Sequence, residues 1–386
     1  MTGNRAVFTK YNERYVLMHI VSDRAEHIYV YEDLERIEIG TIINCRIDSS
    51  AGNISSCFAA FSNDDTAFVP AALKNGTVLP LVYKKEAYGS KKALFSDKLS
   101  ISGKYVSVTA GEDFVKASSK ADAIKKKDYI DRLKDAKGSD RNGIIIRTRA
   151  FTEDDGLLRA EEEYRIIRDK LEEIKKDSEH LRQYSILYRP LPAYVSDIMW
   201  LKETGIDEVV TDIPEILEKL EMSHGSLSGP VSLSDRVSLR FYEDDLLPLC
   251  KLYSFNAKIS EALSQKVYLK SGATIVFDHA EAMTVIDVNS AHNDKKGDRE
   301  DTFLSVNREA ACEIARQLRL RNISGMVMID FITMRNDVSY KELEDILRKE
   351  LSYDRTKCRF VDFTALGIAE LVRDRQGRSL WSCLGD

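Results

Sequence analysis

The chain has 386 residues, 43% of them apolar, with 57 basic and 63 acidic side chains and a formal net charge of −6. That length can bury a large core and divide into roughly two to four domains; the charge gives no global basic field that would advertise nucleic acid, although local patches count for more than the total. Cys45, Cys57, Cys250, Cys312, Cys358 and Cys383 have no paired short spacing, and His19, His27, His180, His224, His279 and His292 have no ligand-like one. With no bilayer-length apolar run and no secretory leader either, the expectation is a cytoplasmic protein with reduced thiols and no membrane segment.

Residues 1–36 read as a hairpin-rich opening with strands at Tyr15–Ile20 and His27–Tyr31, too few to make a domain alone. From Gly40 short strands follow at close spacing: Thr41–Ile47, Ser55–Phe61, Ala67–Val69, Val78–Tyr83 and Ala93–Ser96. Turn residues separate them, and the pattern predicts a small five-stranded barrel of the OB type. Phe61, Phe68, Lys91 and Lys92 could supply the aromatic faces and basic rim with which such barrels hold single strands. The two Phe could equally be barrel core.

The lysine-rich stretch Ser118–Gly138, containing Lys125-Lys126-Lys127, reads as a solvated helix face. An apolar strand over Gly143–Ile146 then ends in Arg147-Thr148-Arg149. A planar guanidinium beside a hydroxyl suits a phosphate monoester, while an Arg at a strand end is more often simply solvated. Tyr164, Ile167, Leu171 and Ile174 recur at helical spacing and mark a surface helix packed by one stripe.

After Arg189-Pro190-Leu191-Pro192 come a strand at Ile206–Val210, a helix at Pro214–Leu220 opened by its proline, and a Ser/Gly-rich loop at Ser223–Ser234. Val267–Lys270, Ala273–Phe277 and Met283–Val288 read as successive strands. In the next helix Phe303, Ala310, Ala311, Ile314, Ala315 and Leu318 form the buried stripe, and Gly325 is its expected stop. A strand at Met326–Ile332, a helix at Tyr340–Leu351 and a strand at Phe360–Phe363 complete an α/β layer.

Two of these strands carry a matched acid, Ile286-Asp287-Val288 and Ile329-Asp330-Phe331. A strand-helix-strand crossover usually sets its strands side by side and parallel, which puts the two carboxylates about 5 Å apart. Both are expected to be buried. Two acids so close in an apolar sheet repel unless a cation lies between them, and hard oxygen ligands suit Mg²⁺ or Mn²⁺. A single Asp near a strand end is commonly a cap or turn residue, but neither acid here lies in a turn-rich context.

Taken together, these segments resemble the ribonuclease E/G family of bacterial endoribonucleases. The resemblance rests on Ile286-Asp287-Val288-Asn289-Ser290, on Asn307-Arg308-Glu309-Ala310-Ala311-Cys312-Glu313-Ile314-Ala315-Arg316-Gln317-Leu318-Arg319-Leu320-Arg321, and on Ile329-Asp330-Phe331-Ile332, with the acids 43 positions apart. It implies a multidomain α+β and α/β architecture: an RNase H-like subdomain split over 1–36 and 191–268, an S1-like barrel at 37–110, a 5′-sensor region at 111–190 and a DNase I-like catalytic subdomain at 269–386. It further implies a metal-dependent endoribonuclease, acting in RNA processing or decay, that cuts single-stranded RNA to 3′-hydroxyl and 5′-phosphate ends and prefers 5′-monophosphorylated substrates. Asp287 and Asp330 would hold Mg²⁺, or Mn²⁺, with Asn289 assisting. Arg147 and Thr148 would bind the 5′-phosphate, and Phe61, Phe68, Lys91, Arg316, Arg319 and Arg321 would contact RNA.

Two departures stand out. The family's zinc-sharing Cys-x-x-Cys has only Cys383 in the matching region, so zinc is not expected, and a homo-oligomer would need another link; protein partners are unspecified. The family's I-D-F-I-D-M reads Ile329-Asp330-Phe331-Ile332-Thr333-Met334, one acid fewer. The competing expectations are a non-catalytic RNA-binding protein that keeps the fold and, more distantly, a metal phosphoesterase acting on DNA or small phosphoesters.

Overall fold

The computed structural model describes residues 3–50, 55–87, 91–118, 123–222, 237–290 and 299–385. The Ser/Gly-rich loop expected at Ser223–Ser234 and the Gly89-Ser90 part of the basic barrel loop lie outside them. The described chain divides into two compact units, one from Glu35 to Ser196 together with the short piece Lys219–Met222, and the other built from the segment up to Leu34, Asp197–Glu218 and the chain from Val237 onward.

The chain opens with three antiparallel strands, β1 (Asn4–Tyr11), β2 (Arg14–Val21) and β3 (Arg24–Tyr31). β1 is absent from the sequence-based expectation, and the turn that joins it to β2, Asn12-Glu13, carries no glycine signal; this turn and Ser22-Asp23 between β2 and β3 all take positive φ, the backbone that two-residue hairpins need. Asn and Asp tolerate that region best, which accounts for two of the four.

The unit from Glu35 to Ser196 begins with β4 (Ile42–Ser50), β5 (Cys57–Ala60), β6 (Thr66–Val69), β7 (Val78–Lys85) and β8 (Leu94–Ser96). They pair in the order β4-β5-β6-β8-β7, and β7 returns to β4 to close a five-stranded barrel of S1 or OB type. Ile43, Ile47, Val69, Leu81 and Phe95 fill it. Beside it, β9 (Ser100–Ser102), β10 (Val106–Ala110), β11 (Val115–Ala117) and β12 (Asn142–Ile146) form a sheet in the order β11-β12-β10-β9. Helix α1 (Ala123–Lys137) precedes β12, and a 3₁₀ turn at Thr148–Phe151 follows it. The stripe Tyr164, Ile167, Leu171 and Ile174 of α2 (Gly156–His180) is buried in the same core as Val106, Val108, Ile144 and Ile146. Gly156 is required where that helix starts, since a Cβ there would strike the Ala150 carbonyl. At its other end the buried Asn44 of β4 donates to the Ser178 and Leu181 carbonyls at 2.9 and 3.0 Å, satisfying orphan acceptors of the last turn. β13 (Ile186–Tyr188) then adds to β4.

The other unit resumes with α3 (Ala193–Glu203), β14 (Glu208–Thr211), α4 (Pro214–Met222), β15 (Ser238–Phe241), α5 (Leu249–Leu252) and α6 (Phe255–Leu263). β14 pairs parallel to β1 and β15 parallel to β14, extending the N-terminal hairpins into the order β15-β14-β1-β2-β3. The second sheet of this unit runs β16 (Lys266–Tyr268), β17 (Thr274–His279), β18 (Met283–Asn289), β19 (Gly325–Asp330), β21 (Ala369–Arg373), β20 (Cys358–Phe363). Helix α7 (Arg299–Leu320) links β18 to β19, α8 (Asp337–Ser352) follows, and a short α9 (Leu380–Leu384) ends the chain.

Gly325 does not stop α7. The helix ends at Leu320, the left-handed position after it is Asn322, and Ile323 N–H returns to the Leu318 carbonyl. Asn322 accepts from Arg373 at 2.8 Å, and Arg373 is itself locked to buried Asp354 at 2.8 Å. Gly325, also at positive φ, opens β19 instead. Among the described residues no helix is long and apolar enough to cross a membrane.

His19 and His27 face each other across β2 and β3 with rings stacked 5.6 Å apart, and Trp200 meets His27 edge-on at 4.9 Å. Burial holds the His19 imidazole down at about 4. Burial and then the neighbouring His19 hold His27 at about 3. The unfolded chain binds these protons near the ordinary value of 6.5, so the histidines' contribution to stability is full above that pH and is lost as pH falls toward 4. Urea midpoints should therefore drop on acidification through this window, and His27→Phe should flatten the drop. An unchanged slope in the variant would remove His27 from the effect.

Candidate active site

β18 and β19 are parallel neighbours, and their register pairs Asp287 directly with Asp330. Each strand alternates strictly: Ile286 and Val288 of β18, and Val327 and Ile329 of β19, enter the core that α7 covers. Asp287 and Asp330 therefore point to the opposite face, where Asp287 is half-buried and Asp330 is exposed. This corrects the expectation that both are buried: a pair of like charges is tolerated one strand spacing apart because water reaches it. Asn289, two residues beyond Asp287 on the same face, donates from Nδ2 to Asp287 Oδ2 at 2.6 Å. Among the described residues no third His, Cys, Asp or Glu completes a metal-binding cluster, and no salt bridge engages either acid. Two carboxylates open to solvent suit a hard cation that fills its remaining positions with water or phosphate oxygens.

The segment after Asp330 is held by a residue that had no assigned role. Buried Asn307 of α7 donates to the Ile332 carbonyl at 2.8 Å and accepts from the Ile332 N–H at 3.0 Å, copying a strand partner. Glu300 accepts from the backbone of Arg335 and Asn336, and Glu309 from that of Lys270 and Ser271. One helix thus fixes the loops on both sides of the acid-bearing strands.

At the end of β12, Arg147 is exposed and donates to the Gly103 carbonyl, while the Thr148 hydroxyl lies 2.9 Å from that of Ser118. The loop carrying Gly103 is built around Glu163 of α2, a buried carboxylate that accepts from the backbone N–H groups of Lys104, Tyr105 and Val106 at 2.7 to 2.8 Å. A side chain at Gly103 would collide with that carboxylate. Arg149 reaches Glu153 at 2.6 Å, and Tyr105 donates to the same acid at 2.6 Å. Burial alone would raise the Glu153 carboxyl, but those two bonds and nearby Lys104 outweigh it and hold it below the usual carboxylate range.

On the barrel, Phe58 and Phe68 stand opposite each other on β5 and β6 with centroids 6.0 Å apart, both half-buried. Lys92 lies over the Phe58 ring at 5.8 Å, and Lys91 is exposed. Phe61 instead stacks at 5.1 Å on buried Phe95, as one of the barrel's packing residues.

A model of the ribonuclease E/G family matches residues 100–376, most of the chain. The chain belongs to the ribonuclease E/G family. It is 30% identical over 312 residues to ribonuclease E of Escherichia coli and 32% identical over 319 residues to that of Haemophilus influenzae, alignments that cover 80% of this chain but 29% and 32% of those proteins. It is 25% identical over 396 residues to Escherichia coli ribonuclease G, covering 92% of this chain and 76% of that protein. The chain thus spans about a third of the length of the ribonuclease E proteins it matches.

Within this ribonuclease E/G member the arginines of α7 need correction. Arg316 is 6% exposed and Arg321 5%, so neither offers a guanidinium to RNA. Arg316 is bound to Glu313 at 2.7 Å and donates to the Ala25 carbonyl; Arg321 bonds Gln317 at 2.6 Å and lies over the Phe277 ring at 4.3 Å. Burial and the neighbouring Arg316 pull Arg321 down to about 10. Arg319 is half-buried and donates to the Glu350 carbonyl at 3.3 Å. An arginine-rich helix reads as an RNA surface only if its guanidiniums face out, and helical periodicity cannot distinguish a snorkelling Arg from one paired inside.

Phe58, Asn307 and Glu163 are what sequence reasoning missed. Phe58 was legible as the cross-strand partner of Phe68 once the barrel register is drawn; Glu163 was not, because its ligands are backbone groups nearly sixty positions away. Replacing Glu163 with Ala should leave three buried N–H groups without an acceptor and cost about 3 kcal/mol of stability. Denaturant unfolding checks this, and a variant as stable as the parent would refute it.

Proposed function

We propose that the chain is a metal-dependent endoribonuclease that cleaves single-stranded RNA to 3′-hydroxyl and 5′-phosphate ends, with a preference for 5′-monophosphorylated substrates, in RNA processing or decay. The observation that carries the reading is the register of Asp287 against Asp330 in a chain of the ribonuclease E/G family. A site of two hard carboxylates is suited to Mg²⁺, or Mn²⁺, and such an ion, when bound, supplies Lewis-acid polarisation of the scissile phosphate and lowers the pKa of a water nucleophile.

The chain's own residues have three tasks. Asp287 and Asp330 provide the negative charge and oxygen donors. Asn289 fixes the Asp287 carboxylate through its 2.6 Å hydrogen bond to Oδ2, which leaves the other carboxylate oxygen to serve as a donor to the cation. Asn307 holds the backbone beyond Asp330 and so limits how far that acid can drift. For the 5′ end, exposed Arg147 beside the Thr148 hydroxyl offers charge-assisted donors to a phosphate monoester, next to a loop that Glu163 organises. Phe68, with Phe58 and the lysines at 91 and 92, supports a single-strand contact on the barrel. In this reading the sheet β15-β14-β1-β2-β3 is the RNase H-like subdomain and the sheet bearing the two acids the DNase I-like one.

Incubating a 5′-monophosphorylated, A/U-rich single-stranded RNA with the protein and Mg²⁺ should give cleavage that a chelator stops. Asp287→Asn or Asp330→Asn should lower it by roughly a hundredfold or more with the fold intact. Undiminished cleavage by Asp287→Asn would sink the metal-site reading, and no cleavage by the intact protein would leave only an RNA-binding role. Arg147→Ala should narrow the rate difference between 5′-monophosphate and 5′-hydroxyl substrates without abolishing cleavage; an unchanged ratio would remove the sensor assignment.

A further inference from the structure

The sheet face that carries Asp287 and Asp330 continues to the edge strand β16. Val267 of that strand enters the core, so Lys266 and Tyr268 project from the same face as the acids. Pairing traces two rows across the sheet. One runs Lys266, Val276, Asp287, Asp330, and the other Tyr268, Thr274, Asn289. Lys266 is therefore two strand spacings from Asp287, about 10 Å, and Tyr268 the same distance from Asn289. That is about three base-stacking rises along a nucleic acid strand.

Tyr268 is 74% exposed, the highest among the large apolar and aromatic side chains of this face. Lys266 Nζ lies over its ring at 5.3 Å. A solitary exposed aromatic is unremarkable on a protein surface. This one differs in being three-quarters exposed with a cation over its ring, and in lying in line with Asn289, one row from the two carboxylates that an RNA phosphate has to approach. The acids repel a polyanion, and Lys266 is a cation in their own row that offsets the repulsion where the strand leaves them.

Resting on the ribonuclease reading above, we propose that Tyr268 and Lys266 form a nucleobase-stacking platform that takes one base of the single-stranded substrate a few nucleotides from the scissile phosphate. The ring stacks on the base and the ammonium meets the adjoining phosphate, the pairing by which single strands are held without sequence preference. The platform sets the position of the strand over Asp287 and Asp330 and performs no chemistry.

The test uses the full chain and an RNA carrying 2-aminopurine at successive positions, bound to the Asp287→Asn protein so that cleavage does not intervene. Stacking on Tyr268 should quench one position. Adding Tyr268→Ala should abolish that quenching, and Tyr268→Phe should retain it. In the cleaving protein Tyr268→Ala should raise KM roughly tenfold with kcat little changed, and Lys266→Ala should act in the same direction with a weaker salt dependence of binding. The Tyr268→Ala penalty should vanish on an RNA that is already abasic at the quenched position. A penalty independent of abasic placement, or quenching that survives Tyr268→Ala, would overturn the platform. So would a change in light-scattering mass on Tyr268→Ala, which would assign this face to a second copy of the chain. If the intact protein binds RNA with Tyr268-dependent quenching but does not cut it, the catalytic reading fails and the platform stands.

Discussion

The parallel pairing of β18 with β19, in the register that sets Asp287 against Asp330, is the constraint on which the acid-bearing sheet depends. Parallel neighbours cannot be joined by a tight turn, so a long crossover has to separate them, and α7 is that crossover. Its apolar stripe then covers one face of the sheet. The acids are left on the other, where hydration makes their proximity tolerable and a substrate can reach them. A slip of one residue would turn both carboxylates into the core beneath α7 and expose Ile286 and Ile329 in their place.

The same helix resolves the polar half of the problem. Asn307 and Glu309 clamp backbone next to the sheet, and Glu313 gathers Arg316 and Gln317 at its inner end, with Arg24 at 2.8 Å. Charges buried in such a network are costly unless every partner is present. The motif from Asn307 to Arg321 is therefore a scaffold for the acids more than an RNA surface, although its composition invites the second description.

The other unit applies the same device at smaller scale. Glu163, deep in α2, converts three backbone N–H groups into a fixed loop, and Arg147, at the end of β12, bonds that loop through its backbone N–H to the Tyr105 carbonyl and its guanidinium to the Gly103 carbonyl. In the proposed 5′-phosphate role, such anchoring reduces the side-chain entropy that the arginine would lose on binding. On the barrel, strand pairing turns Phe58 and Phe68 outward while Phe61 is drawn onto Phe95, so residues of one type and one neighbourhood part into surface and packing roles.

What the sequence by itself determined is local and periodic. The five barrel strands, the stripe of α2, and two Ile-Asp strands flanking one amphipathic helix all follow from apolar period and turn residues, and the family signature follows from the same stretches. What only the tertiary structure decided is which side of an element faces water and which distant backbone a polar side chain meets. Asp330 is exposed although its neighbours are apolar, Arg316 and Arg321 are internal although arginines are commonly solvated, β1 joins β2 through a turn without glycine, and Asn322 rather than Gly325 ends α7. The physical reason is shared: a residue's period states that it has a face, but the free energy of hiding or hydrating a charge depends on partners that the fold brings from far along the chain.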